Sequence, residues 1–334
     1  MRKGILLVSI GAILCGLVLG SMYLYYKQIN TTNDDDAYII LKKSATLEQV
    51  AKQLQEKNII KSYITFIYYA KVKGLKESIE DRNFIIKPKT NLNDLIIKLK
   101  DGKSEFAVIT IPEGYTLYQI ASKLEKNSLV KKEDILNEKL DDLKGNTLIL
   151  NKNDVYYGLE GYLFPDTYYI LYNTRKEEII NIMVDRFKTV FSEKYRERTK
   201  ELGLNVNQVI TIASLIEREA ANDIERSRIA GVIYNRLKKG MLLQVDAAVI
   251  YANTKGEKSI DKVYYKTLKV KSKYNTYLYK GLPPGPIASP GKASIEAALY
   301  PEKNDYLYYV ASGNGHVFSK TYKEHLNNVN KHIK

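Results

Sequence analysis

The sequence predicts an α+β protein with an N-terminal transmembrane helix, one or two small mixed α/β modules and a larger, mostly helical domain with short strands. Three observations carry this expectation. Residues 5–26 are a run of about 20 apolar or small residues without a charge, the length needed to cross ~30 Å of hydrocarbon. After it, stretches with helical spacing of apolar residues are separated by short strand-like runs. Four of the eight prolines, at 283, 284, 286 and 290, share one stretch with Gly281, Gly285 and Gly291, which sets a stiff loop into the helical second half.

Residues 1–4 read as a cytoplasmic tail and 5–26 as the anchor. Arg2 and Lys3 precede the run and Asp34, Asp35 and Asp36 follow it, so the positive-inside bias keeps the N-terminus cytoplasmic. The chain is thereby expected to be a single-pass protein of the cell membrane, its remainder outside. A cleaved signal peptide is the rival; the run ends in Tyr23, Tyr25 and Tyr26, not in a small-x-small site. Residues 27–36 are a polar tether. Cys15, the only cysteine, lies inside the run, so no disulfide framework is expected. On an exported domain the formal charge of +14 points to anionic wall polymers and lipid headgroups before nucleic acid, but it is spread over almost every helix with acids between, which reads as a solvated basic surface more than a dedicated polyanion groove. His316, His325 and His332 form no HExxH or Cys/His cluster, so neither a metal nor a cofactor is expected.

A first module spans 37–104. Leu47, Val50, Ala51 and Leu54 predict a helix over 45–58, capped by Ser44 or Thr46, and Leu92, Leu95, Ile96 and Leu99 predict another over 91–100, stopped at Asp101-Gly102. Residues 38–41 and 83–88 read as strands. Thr46-Leu47-x-Gln49-Val50-Ala51-x-x-Leu54 returns seventy residues later as Thr116-Leu117-x-Gln119-Ile120-Ala121-x-x-Leu124, so 105–159 holds a second, similar unit. The pattern resembles the first helix of LysM-type wall-binding modules; any capped amphipathic helix also fits it.

The texture changes in 160–334, a third and larger domain. An aromatic segment, Glu160 to Tyr168, precedes predicted helices over 175–195, 208–221 (capped by Asn205 or Asn207) and 224–239 (ended by Gly240). Ser289 and Pro290 are expected to open a helix that stops before Pro301, 306–311 and 317–319 to pair around Gly313-Asn314-Gly315, and a helix to close the chain.

Glu217 emerges from the otherwise apolar Ala213-Ser214-Leu215-Ile216. Its helical neighbours Ala213, Ser214, Ala220 and Ala221 are small, which leaves space above the carboxyl for a substrate. Glu219 is placed to orient or pair. The plainer reading makes both glutamates surface residues paired with Arg218 and Arg226. Further blocks follow: Tyr234-Asn235-Arg236-Leu237, Leu243-Gln244-Val245-Asp246, Tyr274-Asn275-Thr276-Tyr277, Gly281 to Gly291, and Tyr306 to Val310 leading to His316.

With Glu160-Gly161 and Ala213 to Ala220, these blocks closely resemble the endolytic murein transglycosylase family of the YceG/MltG type, from about Thr110 to His325. The resemblance implies a lyase that cuts peptidoglycan glycan strands internally between N-acetylmuramic acid and N-acetylglucosamine. Cutting is non-hydrolytic and leaves 1,6-anhydro ends, with Glu217 as general acid and then base and Glu219 as a supporting acid. Gln244, Asp246, Asn275, Tyr277 and His316 are the expected substrate contacts, and the cytoplasmic membrane, peptidoglycan synthases and penicillin-binding proteins the expected partners. Two rivals stay open: a non-catalytic wall-binding scaffold, and a hydrolytic muramidase using Glu217 with Asp246, the latter also a candidate cap for a helix over 247–252. Asp166 is the other candidate for a second acid.

Overall fold

The computed structural model describes residues 13–14, 16–18, 20–21, 30–42, 45–80, 82–138, 154–258, 266–313 and 315–332. They form helices and two-stranded sheets, and the chain divides into two compact units, residues 1–107 and 108–334.

The expected transmembrane helix is corrected. Among the described residues no helix is long and apolar enough to cross a membrane, which removes the spanning helix and the single-pass cell-membrane placement built on it. Of residues 5–26, the described ones (13–14, 16–18, 20 and 21) are helical, and the others lie outside the described residues, as does the tail. The expectation rested on apolar composition alone, whereas a span needs a helix of about 20 residues.

In the first unit, β1 (Ala37–Leu41), β2 (Ala45–Thr46), α1 (Leu47–Glu56), α2 (Tyr63–Val72), β3 (Ser78–Ile79), β4 (Arg82–Ile86) and α3 (Leu92–Asp101) follow in order. β1 pairs antiparallel with β4 from Ala37↔Ile86 to Leu41↔Arg82, and β2 pairs with β3. The stripe Leu47, Val50, Ala51 and Leu54 joins Phe66, Phe84 and Leu95 in one core. Each such side chain contributes ~1.5–3 kcal/mol on burial. Thr46 caps α1 in a capping box with Gln49.

β5 (Phe106–Thr110) crosses the division between the units and pairs with β6 (Thr167–Leu171). The second unit continues with α4 (Leu117–Lys126) and α5 (Lys132–Leu136) before β6, then α6 (Lys176–Val190), α7 (Glu193–Glu201) and α8 (Val206–Glu219). A 3-10 turn (Asp223–Glu225) leads to α9 (Arg226–Lys238), α10 (Asp246–Thr254), α11 (Lys292–Leu299), the hairpin β7 (Tyr308–Ser312) and β8 (Gly315–Ser319), and α12 (Tyr322–His332). Thr116 and Gln119 cap α4 with the same box that opens α1, so the repeated letters encode repeated cap chemistry.

Two expected helices change. The one over 175–195 divides into α6 and α7, with Ser192 as the N-cap of α7. The one opened by Ser289 and Pro290 starts two residues later, with Gly291 as N-cap and no side-chain cap. Ser289 spends its backbone elsewhere: its carbonyl accepts from Gly114 N–H and its N–H donates to the Tyr115 carbonyl, each at 2.8 Å.

Candidate active site

The site grows from α8. A capping box of Asn205 and Gln208 starts this helix, and every residue from Val209 to Ile216 is buried beneath α7, α9, α10 and α11. A helix apolar on all sides is a core helix, so only its last turn can meet a ligand. One turn before Glu217, the buried Ser214 Oγ donates to the Thr211 carbonyl (2.7 Å) and accepts from Ile287 N–H (3.1 Å). That bond fastens the proline-rich loop to the helix. From the other side Gly161 supports the same loop: it has φ +84°, and a Cβ there would lie 2.6 and 2.7 Å from Pro286 Cβ and Cγ. Only glycine gives the backbone both that conformation and that approach.

Glu160, beside it, is buried; one carboxyl oxygen accepts from Leu117 N–H and the other from the Tyr251 hydroxyl, both at 2.9 Å. Burial pushes this carboxyl up to about 8 against the pull of those bonds.

Glu217 has a side chain only 7% exposed. Its Oε1 lies 3.2 Å from Arg226 Nη1 and its Oε2 accepts from Gly291 N–H at 3.0 Å. Arg226 also meets Asp223 Oδ1 through Nε at 2.9 Å and Ser294 Oγ through Nη1 at 2.5 Å. Although burial opposes it, Asp223 and Glu217 together raise the guanidinium above its ordinary value. The small neighbours along α8 do leave room around Glu217, but charged groups and loop backbone fill much of it. A Cβ on Gly114 would stand 3.6 Å from Glu217 Cγ, in ordinary contact.

The structure adds a residue that the sequence reading missed. Glu113 is exposed, and its carboxyl atoms lie 2.0 to 2.5 Å from where a Cβ on Gly291 would be. The Glu113 and Glu217 carboxyls therefore converge on Gly291, one over its Cα and the other on its N–H. Backbone bonds between Gly114, Tyr115 and Ser289 hold the two loops together, and Arg218 Nη1 donates to the Gly114 carbonyl at 3.3 Å. Although the residue is exposed as a whole, its carboxyl packs against Gly291, and the desolvation there raises it; the charge of Glu217 adds to this and Arg226 opposes it. A signal existed in the repeat: Pro112-Glu113-Gly114 stands where the first copy has Lys42-Lys43-Ser44.

Other expected residues form a second cluster. Glu219 Oε2 accepts from the Tyr309 hydroxyl at 2.9 Å; burial pushes its carboxyl up to about 7, with the Asp246 charge adding to the shift. Asp246 opens α10 without capping it and accepts from the Tyr277 hydroxyl at 2.5 Å. Among the described residues no hydrogen bond or ion pair joins Glu217 to Asp246. Gln244 sits at φ 52°, a left-handed conformation that costs a non-glycine residue about 1–3 kcal/mol, and its Oε1 is 3.5 Å from Arg236 Nη1.

Asn275 is fully buried: its amide donates to the Leu268 and Val270 carbonyls and accepts from Tyr277 N–H. It braces the loop beside Gln244. Asp166 pairs with Arg186 at 2.6 Å.

Residues 39–331 match the model of the YceG-like family. The chain belongs to that family. It is 37% identical to a Bacillus subtilis protein named endolytic murein transglycosylase, over 95% of this chain and 91% of that one. Two Streptococcus pneumoniae proteins of the same name are 31% identical over 98% of this chain, which spans only 64% of their length. A crystal structure of a YceG-like protein from Listeria monocytogenes has a TM-score of 0.64 and 35% identity, covering 88% of this chain and 99% of that one.

In this YceG-like chain Arg226, the partner of Glu217, also borders open space, although Glu217 itself does not line it. A cleft of about 900 Å³ has Arg226 and Asp223 in its wall, facing Arg186, Tyr195, Lys292 and Tyr300. His316 lies beyond the end of α8, its N–H and Nδ1 on the two Glu225 oxygens at 3.1 and 2.9 Å. Burial works against it, but the bonds from Ala221 N–H and His316 hold the Glu225 carboxyl below its usual range. His316 thus secures the turn that brings Arg226 back to Glu217.

Proposed function

We propose that this chain is an endolytic murein transglycosylase: it cuts peptidoglycan glycan strands at internal bonds between N-acetylmuramic acid and N-acetylglucosamine without water, leaving 1,6-anhydro-N-acetylmuramic acid ends. The observation that carries the reading is a carboxyl, Glu217, in the last turn of a buried helix, held between the Gly291 N–H and Arg226, which lines the cleft. The relatives of that name, aligned over nearly all of this chain, support the substrate class.

The attacking group is the C6 hydroxyl of the same muramyl sugar, so no second carboxylate is needed to activate water. Glu217 handles the proton transfer, first as acid and then as base. Gln244, Asp246 and Tyr277 are the proposed sugar contacts, grouped beside Glu219. Synthases and penicillin-binding proteins, which make and cross-link the strands, are the proposed partners; failure to co-purify with any of them would remove that part.

The test is mass spectrometry of purified glycan strands incubated with the full chain and its Glu217→Gln and Glu219→Gln variants. Anhydro-muramyl ends that disappear only in Glu217→Gln are expected. Loss only in Glu219→Gln would transfer the role to that buried carboxyl. Reducing ends would mean hydrolysis, and uncut strands with folded protein a binding scaffold.

A further inference from the structure

Transglycosylation needs a proton delivered to the leaving oxygen and another removed from the C6 hydroxyl. Working alone, Glu217 must do both, yet in this structure both its oxygens are occupied by donors, Arg226 Nη1 and Gly291 N–H. Such surroundings suit the acceptor half of the reaction. The donor half calls for a carboxyl close by, reachable by substrate and not engaged in a salt bridge. Glu113 answers each requirement: it is exposed, makes no hydrogen bond or ion pair among the described residues, and stands across Gly291 from Glu217.

Resting on the transglycosylase reading given above but dividing the proton transfer it gave to Glu217 alone, we propose that Glu113 is a second catalytic carboxyl, the general acid that protonates the departing N-acetylglucosamine while Glu217 serves as the base. The step balances within the substrate and the two residues. The Glu113 carboxylic acid gives its proton to O4, and the C1–O4 bond breaks with its electron pair on O4. A lone pair of O6 closes onto C1, and the O6 proton passes to the Glu217 carboxylate. A proton then returns from Glu217 to Glu113 through solvent. No water is consumed, and the products together are isomeric with the substrate.

The placement of Glu113 is fixed by backbone, not by chance packing of a long side chain. The bonds between Gly114, Tyr115 and Ser289 lock its loop to the one that carries Gly291, and the missing side chain of Gly291 leaves the space that the carboxyl occupies. The charged groups acting on Glu113 are Glu217 from α8 and Asp223 and Arg226 from the turn and helix that follow, while Arg218 is turned to the Gly114 carbonyl. Burial and the Glu217 charge both favour its protonated form, and Arg226 opposes them. Each carboxyl thus has an environment suited to the half assigned to it.

The experiment compares wild type, Glu113→Gln and Glu217→Gln as full chains on two substrates. One is native glycan strands; the other is an oligosaccharide ending in N-acetylmuramic acid with a 4-nitrophenolate leaving group, which departs without an acid. Glu113→Gln should slow strand cutting by about 10²–10⁴-fold and release nitrophenol within roughly tenfold of wild type, while Glu217→Gln fails on both. The fall in strand-cutting rate at high pH should also vanish in Glu113→Gln. Gly291→Ala keeps the N–H to Glu217 but puts a methyl where the Glu113 carboxyl lies, so it should show the same split and reads the proposal independently should Glu113→Gln not fold.

Strand cutting by Glu113→Gln within roughly threefold of wild type, or equal loss on both substrates, overturns the proposal. If wild type makes anhydro ends, Glu217→Gln makes none and Glu113→Gln is normal, only the role of Glu113 falls. Without anhydro ends from wild type, the transglycosylase reading falls, and this inference with it.

Discussion

Gly161→Ala perturbs the support of the site without touching its chemistry. Two costs can be separated. At φ +84° a side chain is strained by ~1–2 kcal/mol. The new methyl would also stand 2.6 and 2.7 Å from Pro286 and 3.1 Å from Ile210 Cγ2, about 1 Å inside ordinary carbon contact. Pro286 cannot rotate away, since it belongs to a ring in a loop fastened by the Ser214 to Ile287 bond, so an overpacking cost of about 1–3 kcal/mol follows.

The expected loss is therefore ~2–5 kcal/mol, with lower activity because the same loop carries the Gly291 N–H to Glu217. Gly281→Ala is the control. Its φ of +85° is nearly the same, but nothing lies within 4 Å of its Cβ position, so only the ~1–2 kcal/mol of strain should appear. Urea unfolding followed by near-ultraviolet circular dichroism, which reports the many tyrosines, measures both. Equal losses in the two variants would refute the claim that the loop's close approach requires Gly161.

Further outcomes follow from side chains around the same helix. Glu160 has its carboxyl pushed up to about 8 in the fold, so its contribution is fully present below about 4.5 and is lost as pH rises through about 8. Glu160→Gln should flatten that fall and gain on wild type above pH 8 by up to a few kcal/mol, each tenfold change in proton affinity being worth ~1.4 kcal/mol; parallel melting curves from pH 5 to 9 would contradict this. Ser214→Ala leaves the Ile287 N–H without its acceptor in buried surroundings, an expected loss of ~1–3 kcal/mol by urea titration. Thr116→Ala should cost more than Thr46→Ala. Each loses a cap of ~1 kcal/mol, but Thr116 Oγ1 also donates to the Gly256 carbonyl at 2.8 Å, and equal melting shifts would count against that added bond.

What the sequence made legible was local. Thr46 and Asn205, each one of two cap candidates, need only a hydroxyl or amide and a glutamine three residues on, and each is found in a capping box, as is Thr116, which the repeat placed in line with Thr46. The position of Glu217 at the end of an apolar helix also follows from a few neighbouring letters. Arg226 could be named as a partner from the letters, but the path to it could not: it pairs with Glu217 because α8 stops at Glu219 and the chain turns back through Asn222 and Glu225, which helical spacing does not supply. The Gly291 N–H could not be named at all. The late start of α11 and the place of Glu113 both depend on Gly114, Tyr115 and Ser289 meeting across some 170 residues of chain. The membrane expectation was overturned for another reason: it rested on apolar letters alone, and among the described residues no helix has the length and apolarity of a span.

The burial of α8 on all sides has a consequence for how this chain can change over time. At 3.6 residues per turn, one residue inserted or removed between the Asn205 cap and Glu217 turns everything beyond it by about 100°. A deletion would put Glu217 in the buried place of Ile216 and Arg218 against Arg226; an insertion would put Ile216 against Arg226 and Glu217 in the exposed place of Arg218. Substitutions that keep volume can accumulate along this segment, but its length is fixed, so descendants of this chain should differ here in letters and never in count.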